Sequence, residues 1–337
     1  MNKSQTYRSS NIELLRVIAM ILIMFGHSHL RIQSLPHADV IVVTPISSFL
    51  NVMLSCIATT GVGIFIAISG WFGIKFKTKG LAKYLFLVFF ILWAIYGISI
   101  ALHTTEFNFS GIKTSLCFYE GYWFVLGYLG LYLMSPLLNT FIEHATKKEL
   151  QIVLLSYFLF QSYVSWLSGW YDYYSGYSIF LFAGIYLTAV YFKKYPIDWI
   201  EKYAPHLWTA TILLMTVIAY LSLWGLGFAG RQIRDDNPLT IIASILLVVT
   251  FSKLKFQNRI VNWLAASCFA VYLLHYSPFV YPYLIQLMQN VYQQYDGLLY
   301  TMVLLAALLA IYVGCALFDQ IRILCWNILQ KTVCTNR

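Results

Sequence analysis

Apolar residues run along this chain in stretches of about twenty, separated by shorter segments that hold most of its charge. A stretch of that length is what an α-helix needs to cross the ~30 Å hydrocarbon core of a bilayer, and a spanning helix satisfies its own backbone hydrogen bonds. Such runs lie near residues 12–30, 41–73, 82–102, 121–141, 150–168, 176–193, 207–227, 238–252, 262–284 and 298–325. The pattern predicts an all-α, polytopic bundle of about ten transmembrane helices, a single membrane domain over residues 1–337. The run at 41–73 suits one tilted helix or two shorter segments, and Gly61, Gly63 and Gly70 mark where it would bend.

Composition agrees with the pattern. Hydrophobic residues make up 60% of the chain and charged residues only 10%, too little charge for an ordinary soluble domain. The 26 Tyr and 10 Trp suit many bilayer crossings, because amphipathic rings collect at the headgroup level. The net charge of +9 needs no nucleic acid to explain it, since lysine and arginine are retained in cytoplasmic loops. With ten crossings and a cytoplasmic N-terminus, seventeen of the 22 Lys and Arg fall on the inner side. Four, Arg31, Lys113, Arg231 and Arg234, fall outside, and Arg16 lies within the bilayer. Both termini are therefore expected in the cytoplasm.

The first run carries Glu13 and Arg16 and lacks a small-residue cleavage site, so it is expected to stay in the membrane as a helix. The six cysteines have no metal-ligand spacing and mostly fall in or beside apolar runs, where they read as small packing residues; no metal site is expected.

The same first run holds the candidate chemistry. Ionisable groups inside a membrane are costly and mark functional sites. At about 100° per residue, the eleven steps from Arg16 to His27 leave them ~20° apart around a helix and about 16 Å apart along it. Glu13, three residues before Arg16, lies on the same side and is placed to pair with it. A polar stripe thus climbs one helix. Structural alternatives stand beside it: His27 bonded to a neighbouring carbonyl, and Glu13 with Arg16 as a pair that holds helices together.

Four stretches, in order, resemble the acyltransferase-3 family of integral-membrane O-acyltransferases. They are Asn11-Ile12-Glu13-Leu14-Leu15-Arg16 followed by His27; Gly61-Val62-Gly63-Ile64-Phe65 leading to Ser69-Gly70-Trp71-Phe72; Tyr122-Trp123-Phe124 with Tyr128, Tyr132 and Ser135-Pro136-Leu137-Leu138-Asn139; and Ser267-Cys268-Phe269-Ala270-Val271-Tyr272-Leu273-Leu274-His275. The chain departs from the family pattern in Glu13 for Asp, in Ala270 for Gly, and in lysines where arginines are usual after the second stretch.

The resemblance implies transfer of an acyl group, most simply acetyl, from cytosolic acyl-CoA to a hydroxyl of a cell-surface polysaccharide or lipid-linked saccharide. The enzyme would sit in a bacterial plasma membrane with no tightly bound cofactor. It places the essential histidine at His27, and imidazole suits removal of a hydroxyl proton near neutral pH. Arg16, fixed by Glu13, is expected to hold the CoA phosphates together with Lys75 and Lys77, which follow the Ser-Gly-Trp-Phe motif directly. Trp123 is placed to stack on a sugar. His275 and the outer-loop residues Arg231, Arg234 and Asp235 are further candidates for contact with the acceptor. His275 is expected about 20 Å into a ninth helix that starts near Asn262. The chain ends soon after its tenth run, so direct transfer to the final acceptor is expected; oligomerisation is left open.

A transporter of a glycan or lipid intermediate is the alternative, with the stripe lining its path. Repeat halves with matched interrupted helices, a common transporter signature, are not evident.

Overall fold

The computed structural model describes residues 9–117, 119–168, 178–223 and 233–335, and their regular structure is entirely helical. In chain order the helices are α1 (Ser10–Ile32), the short α2 (Ala38–Val43), α3 (Pro45–Phe72), α4 (Thr78–Ala101), the short α5 (Phe109–Ser115) and α6 (Trp123–His144). Next come α7 (Lys147–Gln161), extended by a π-helical turn Ser162–Leu167, then α8 (Ile179–Lys194) and α9 (Asp198–Ser222). The chain continues with α10 (Pro238–Ser252), α11 (Arg259–Ala266), α12 (Cys268–His275), α13 (Tyr281–Gln294) and the long α14 (Gly297–Thr335).

Seven of these, α1, α3, α4, α6, α7 with its π turn, α9 and α14, are long and apolar enough to cross a membrane, which makes this a multi-pass membrane protein. The other three expected crossings take different forms. Helices α8 and α10 have 16 and 15 residues, about 24 and 22 Å of helix. Both pack on α3, and their Phe182, Tyr186, Ala243 and Val248 are fully buried. A helix enclosed by protein has no lipid thickness to match.

The ninth run is divided. Its backbone breaks at Ser267 between α11 and α12, where the Leu264 carbonyl accepts both the Ser267 N–H at 3.1 Å and the Tyr312 hydroxyl at 3.0 Å. Broken helices are tolerated at membrane depth where protein surrounds the freed backbone groups. His275 is consequently the last residue of an eight-residue helix rather than a point along a continuous one.

The run at 41–73 is one continuous helix over Pro45–Phe72, with α2 before it. Its glycines serve close approach instead of bending. A Cβ on Gly61 would lie 2.9 Å from the Ala19 carbonyl of α1, and one on Gly70 would lie 3.0 Å from the Tyr186 Cα of α8. Small residues let membrane helices pack this tightly by dispersion, without a hydrophobic driving force. Helix α3 therefore sits between α1 on one side and α8 and α10 on the other.

The foot of α1 is tied down by polar contacts. Asn11 donates to the Phe251 carbonyl at 2.8 Å, and the Ser10 hydroxyl donates to Asn262 Oδ1 at 2.9 Å and accepts the Asn258 N–H at 2.9 Å. These bonds hold the start of α1 against the α10–α11 junction, which fixes the rotation of its polar face.

Candidate functional site

His27 and His275 meet. Nδ1 of His27 lies 3.0 Å from Nε2 of His275, and Nδ1 of His275 lies 2.8 Å from the Val271 carbonyl. A carbonyl only accepts, so Nδ1 of His275 carries a proton. In the neutral ring Nε2 of His275 then holds a lone pair and accepts the Nδ1–H of His27. Nε2 of His27 is left as the basic nitrogen. The backbone of α12 thus sets the tautomer of a ring on α1.

Two tyrosines hold His27 in place. The ring of Tyr276 stacks on it with centroids 4.1 Å apart, and the Tyr281 hydroxyl donates to the His27 carbonyl at 2.7 Å. Both follow α12 closely, where the sequence pattern points to no special role. Their signal in the sequence is only their closeness to the Tyr-Leu-Leu-His stretch.

His27 forms part of the wall of a small cavity of about 20 Å³, bounded also by Met20 and Ile23 on its own helix, Val62 and Phe65 on α3, and Trp123 at the start of α6. Phe124, Phe269 and Tyr272 complete that cavity. Tyr272 donates to the Gly121 carbonyl at 2.8 Å and so ties α12 to the turn that begins α6. Trp123 therefore lines the same cavity as the histidine.

Lower on the same face of α1, Arg16 borders a second cavity of about 340 Å³ together with Ser69, Lys83, Tyr84 and Tyr128. That volume is in the range of small-ligand sites. Nη1 of Arg16 bonds both oxygens of Glu13, at 3.0 and 3.3 Å. Glu13 is buried, whereas the Arg16 side chain keeps 30% of its surface. The carboxylate is paired inside while the guanidinium retains an open edge toward the cavity. The Ser69 hydroxyl lies 3.2 Å from the Tyr128 hydroxyl, which joins the second and third sequence motifs at this wall.

Three aromatic residues, Phe65, Phe124 and Phe269, border both cavities. Residues of all four sequence motifs therefore line two adjoining spaces. A packing role alone would not require this convergence.

Lys75 and Lys77 lie in the exposed connection between α3 and α4 and do not line the Arg16 cavity; the lysine that does is Lys83, one helical turn into α4. The backbone N–H and carbonyl of Lys77 both bond the Tyr132 hydroxyl at 3.0 Å, which holds that connection against α6. Arg234 and Asp235 belong to a separate cluster before α10. There Arg234 grips the fully buried Asp236 through Nε at 2.9 Å and Nη2 at 2.6 Å, and Ser165 of the π turn donates to the same carboxylate. Burial, and next the neighbouring Asp236 carboxylate, push the Asp235 carboxyl up to about 7 against the opposing pull of Arg234. Arg231 lies outside the described residues.

A third acid–arginine pair, Asp319 with Arg322 on α14, is fully buried and bidentate at 2.6 and 2.7 Å. It lines neither cavity and reads as a packing element. Among the described residues no cluster of His, Cys, Asp and Glu is arranged to hold a metal ion.

A family model described as an acyltransferase domain matches residues 9–319, nearly the whole chain. No curated protein and no solved structure matches it.

Proposed function

The chain belongs to the acyltransferase-3 family, and on that premise we propose that it moves an acyl group, most simply acetyl, from acyl-CoA to a hydroxyl of a cell-surface or lipid-linked saccharide. The observation that supports this reading best is the free Nε2 of His27, set as a base by His275 and placed above an arginine-bordered cavity on the same helix face.

In this reading Nε2 of His27 takes the proton of the acceptor hydroxyl as its oxygen bonds to the thioester carbon. The resulting imidazolium is steadied by the Nδ1–H bond to His275, much as a carboxylate steadies the base of a hydrolytic triad. The tetrahedral intermediate then breaks its C–S bond, and His27 returns the proton to the departing CoA thiolate. One proton moves in and out, one C–O bond forms and one C–S bond breaks. Arg16, oriented by Glu13, and Lys83 hold the donor phosphates, with Lys75 and Lys77 beside the approach. An arginine fork suits phosphate oxygens.

Trp123 offers a flat ring beside His27 for the acceptor. His275 acts through His27 as a positioning residue. The loop holding Arg231, Arg234 and Asp235 stays a candidate for wider acceptor contacts. The lysine-rich side, with both termini, is taken as the cytoplasm of a bacterial plasma membrane, so donor and acceptor approach from opposite faces.

The test is transfer of label from acetyl-CoA to glycan acceptors by the purified protein in vesicles, with mass spectrometry of cell-surface glycans with and without the gene. Label should move with wild-type protein and fall by about 10²- to 10⁴-fold in His27→Ala. Glycan movement across the membrane without thiol release from acetyl-CoA would favour the transporter instead.

A further inference from the structure

The two cavities on the polar face of α1 are separated by rings, and the spacing of their ends has a chemical meaning. Arg16 and His27 lie about 16 Å apart along the helix. An acylated phosphopantetheine arm runs through about fourteen bonds from its phosphorus to its thioester carbon. At about 3.4 Å of extended chain for every three bonds, it reaches about 16 Å. The face of α1 between Arg16 and His27 therefore has the length of that arm. It carries Met20 and Ile23, both buried.

The space along this face is interrupted. The cavity at His27, about 20 Å³, holds little more than one water-sized body, far less than an extended arm requires. What narrows it is the set of rings shared with the cavity below, and Phe124 is their hub. Its centroid lies 6.0 Å from that of Phe269, 5.9 Å from Tyr128, 5.6 Å from Tyr272 and 6.4 Å from Phe65.

We propose that the two cavities are the ends of one site for the phosphopantetheine arm of a thioester donor, closed in this structure by Phe65, Phe124 and Phe269, with Phe124 as the gate. The proposal rests on the acyl-transfer reading above. The cavity below the rings is bordered by Ser69, Tyr84 and Tyr128, whose hydroxyl oxygens are left to accept from the two amide N–H groups of the arm, while the rings meet its apolar methylenes. A closed gate also keeps water from the thioester until the arm has filled the passage.

Two measurements on the purified full-length chain test this. In the first, CoA and 3′-phospho-ADP, which stops at the phosphates, are titrated against wild type and Val62→Phe, which fills the His27 cavity from α3. Wild type should bind CoA more tightly than 3′-phospho-ADP, and Val62→Phe should lose that advantage about 10-fold or more while binding 3′-phospho-ADP unchanged. In the second, thiol release from acetyl-CoA is followed without acceptor in Phe124→Ala and Phe124→Leu. There water supplies the oxygen that bonds to the thioester carbon, the C–S bond breaks, and acetate and CoA leave. Both variants should raise this hydrolysis about 5-fold or more.

A folded Val62→Phe that keeps the full preference for CoA overturns the proposal, as does wild-type hydrolysis in both Phe124 variants. A wild-type protein that neither binds CoA nor releases its thiol overturns the acyl-transfer reading itself, an outcome distinct from the other two.

Discussion

His27 and His275, 248 positions apart in the chain, share one hydrogen bond of 3.0 Å, and the Val271 carbonyl behind His275 settles its direction. Because a neutral imidazole has one donor and one acceptor, fixing the far nitrogen fixes all four. The consequence is an imidazole whose lone-pair nitrogen is chosen by backbone geometry. It needs no carboxylate beside it.

On the proposed acyl-transfer reading His275 is a positioning residue, and that role has a distinctive signature. Glutamine at 275 retains an oxygen that accepts the Nδ1–H of His27, whereas leucine retains none. His275→Gln should therefore keep kcat within about 10-fold of wild type, and His275→Leu should lose about 10²-fold, with the donor KM little changed in both. Steady-state kinetics on both variants, after a check of folding in detergent, decides the point. Equal losses in the two would point to a packing role.

The approach of α3 to its neighbours predicts a contrast among glycines. A methyl on Gly70 would meet the backbone and Ala189 of α8, whereas one on Gly97 of α4 would meet nothing within 4 Å. Gly70→Ala should destabilise by about 1–3 kcal/mol, because backbone cannot swing aside as a side chain does. Gly97→Ala should be neutral or slightly stabilising, since alanine is the better helix former. Thermal unfolding in one detergent, run side by side, measures both.

What the sequence makes legible follows from how local each feature is. The shared face of Glu13, Arg16 and His27 depends only on helical periodicity, and the three do lie along one side of α1. The meeting of His27 with His275 depends on which helices adjoin and on the break at Ser267. Neither leaves a periodic trace. Lys83 borders the Arg16 cavity instead of Lys75 or Lys77 because α4 begins at Thr78, which places Lys83 inside the helix and leaves Lys75 and Lys77 in the exposed connection. Gly61 and Gly70 read as hinges in the sequence, because a close approach shows only once the neighbours of α3 are known. Arg322 falls inside the last apolar run, and its bidentate bond to Asp319 lets α14 bury it.

Asp235 predicts a pH dependence. Burial pushes its folded carboxyl up to about 7, above the ordinary carboxylate value. Between those two values the folded protein holds a proton that the unfolded chain has released. Stability therefore falls as pH rises through that window and levels off above it. Asn at this position mimics the protonated form at every pH. The gain in melting temperature of Asp235→Asn over wild type should widen from pH 4 to pH 7 and stay level beyond. Melting curves across that range check the sign, and a gain independent of pH would remove the carboxyl as its cause.

The Glu13–Arg16 pair separates a ligand role from a packing role. Removing one partner of a buried pair strands a charge and typically costs about 3–5 kcal/mol, whereas replacing both with apolar residues is often neutral. Glu13 is the buried member, so Arg16→Leu should destabilise and Glu13→Leu/Arg16→Leu should restore folding. Recovery of folding is expected from either role. Recovery of donor binding is not, because the guanidinium edge toward the cavity is still missing. Arg16→Lys keeps the charge but loses the fork, and should raise the donor KM while the acceptor KM stays nearly constant. Donor and acceptor kinetics on the three variants, each checked for folding, settle the role. A folded double variant with the wild-type donor KM would leave Arg16 as packing and move the phosphate contacts to the lysines of α4.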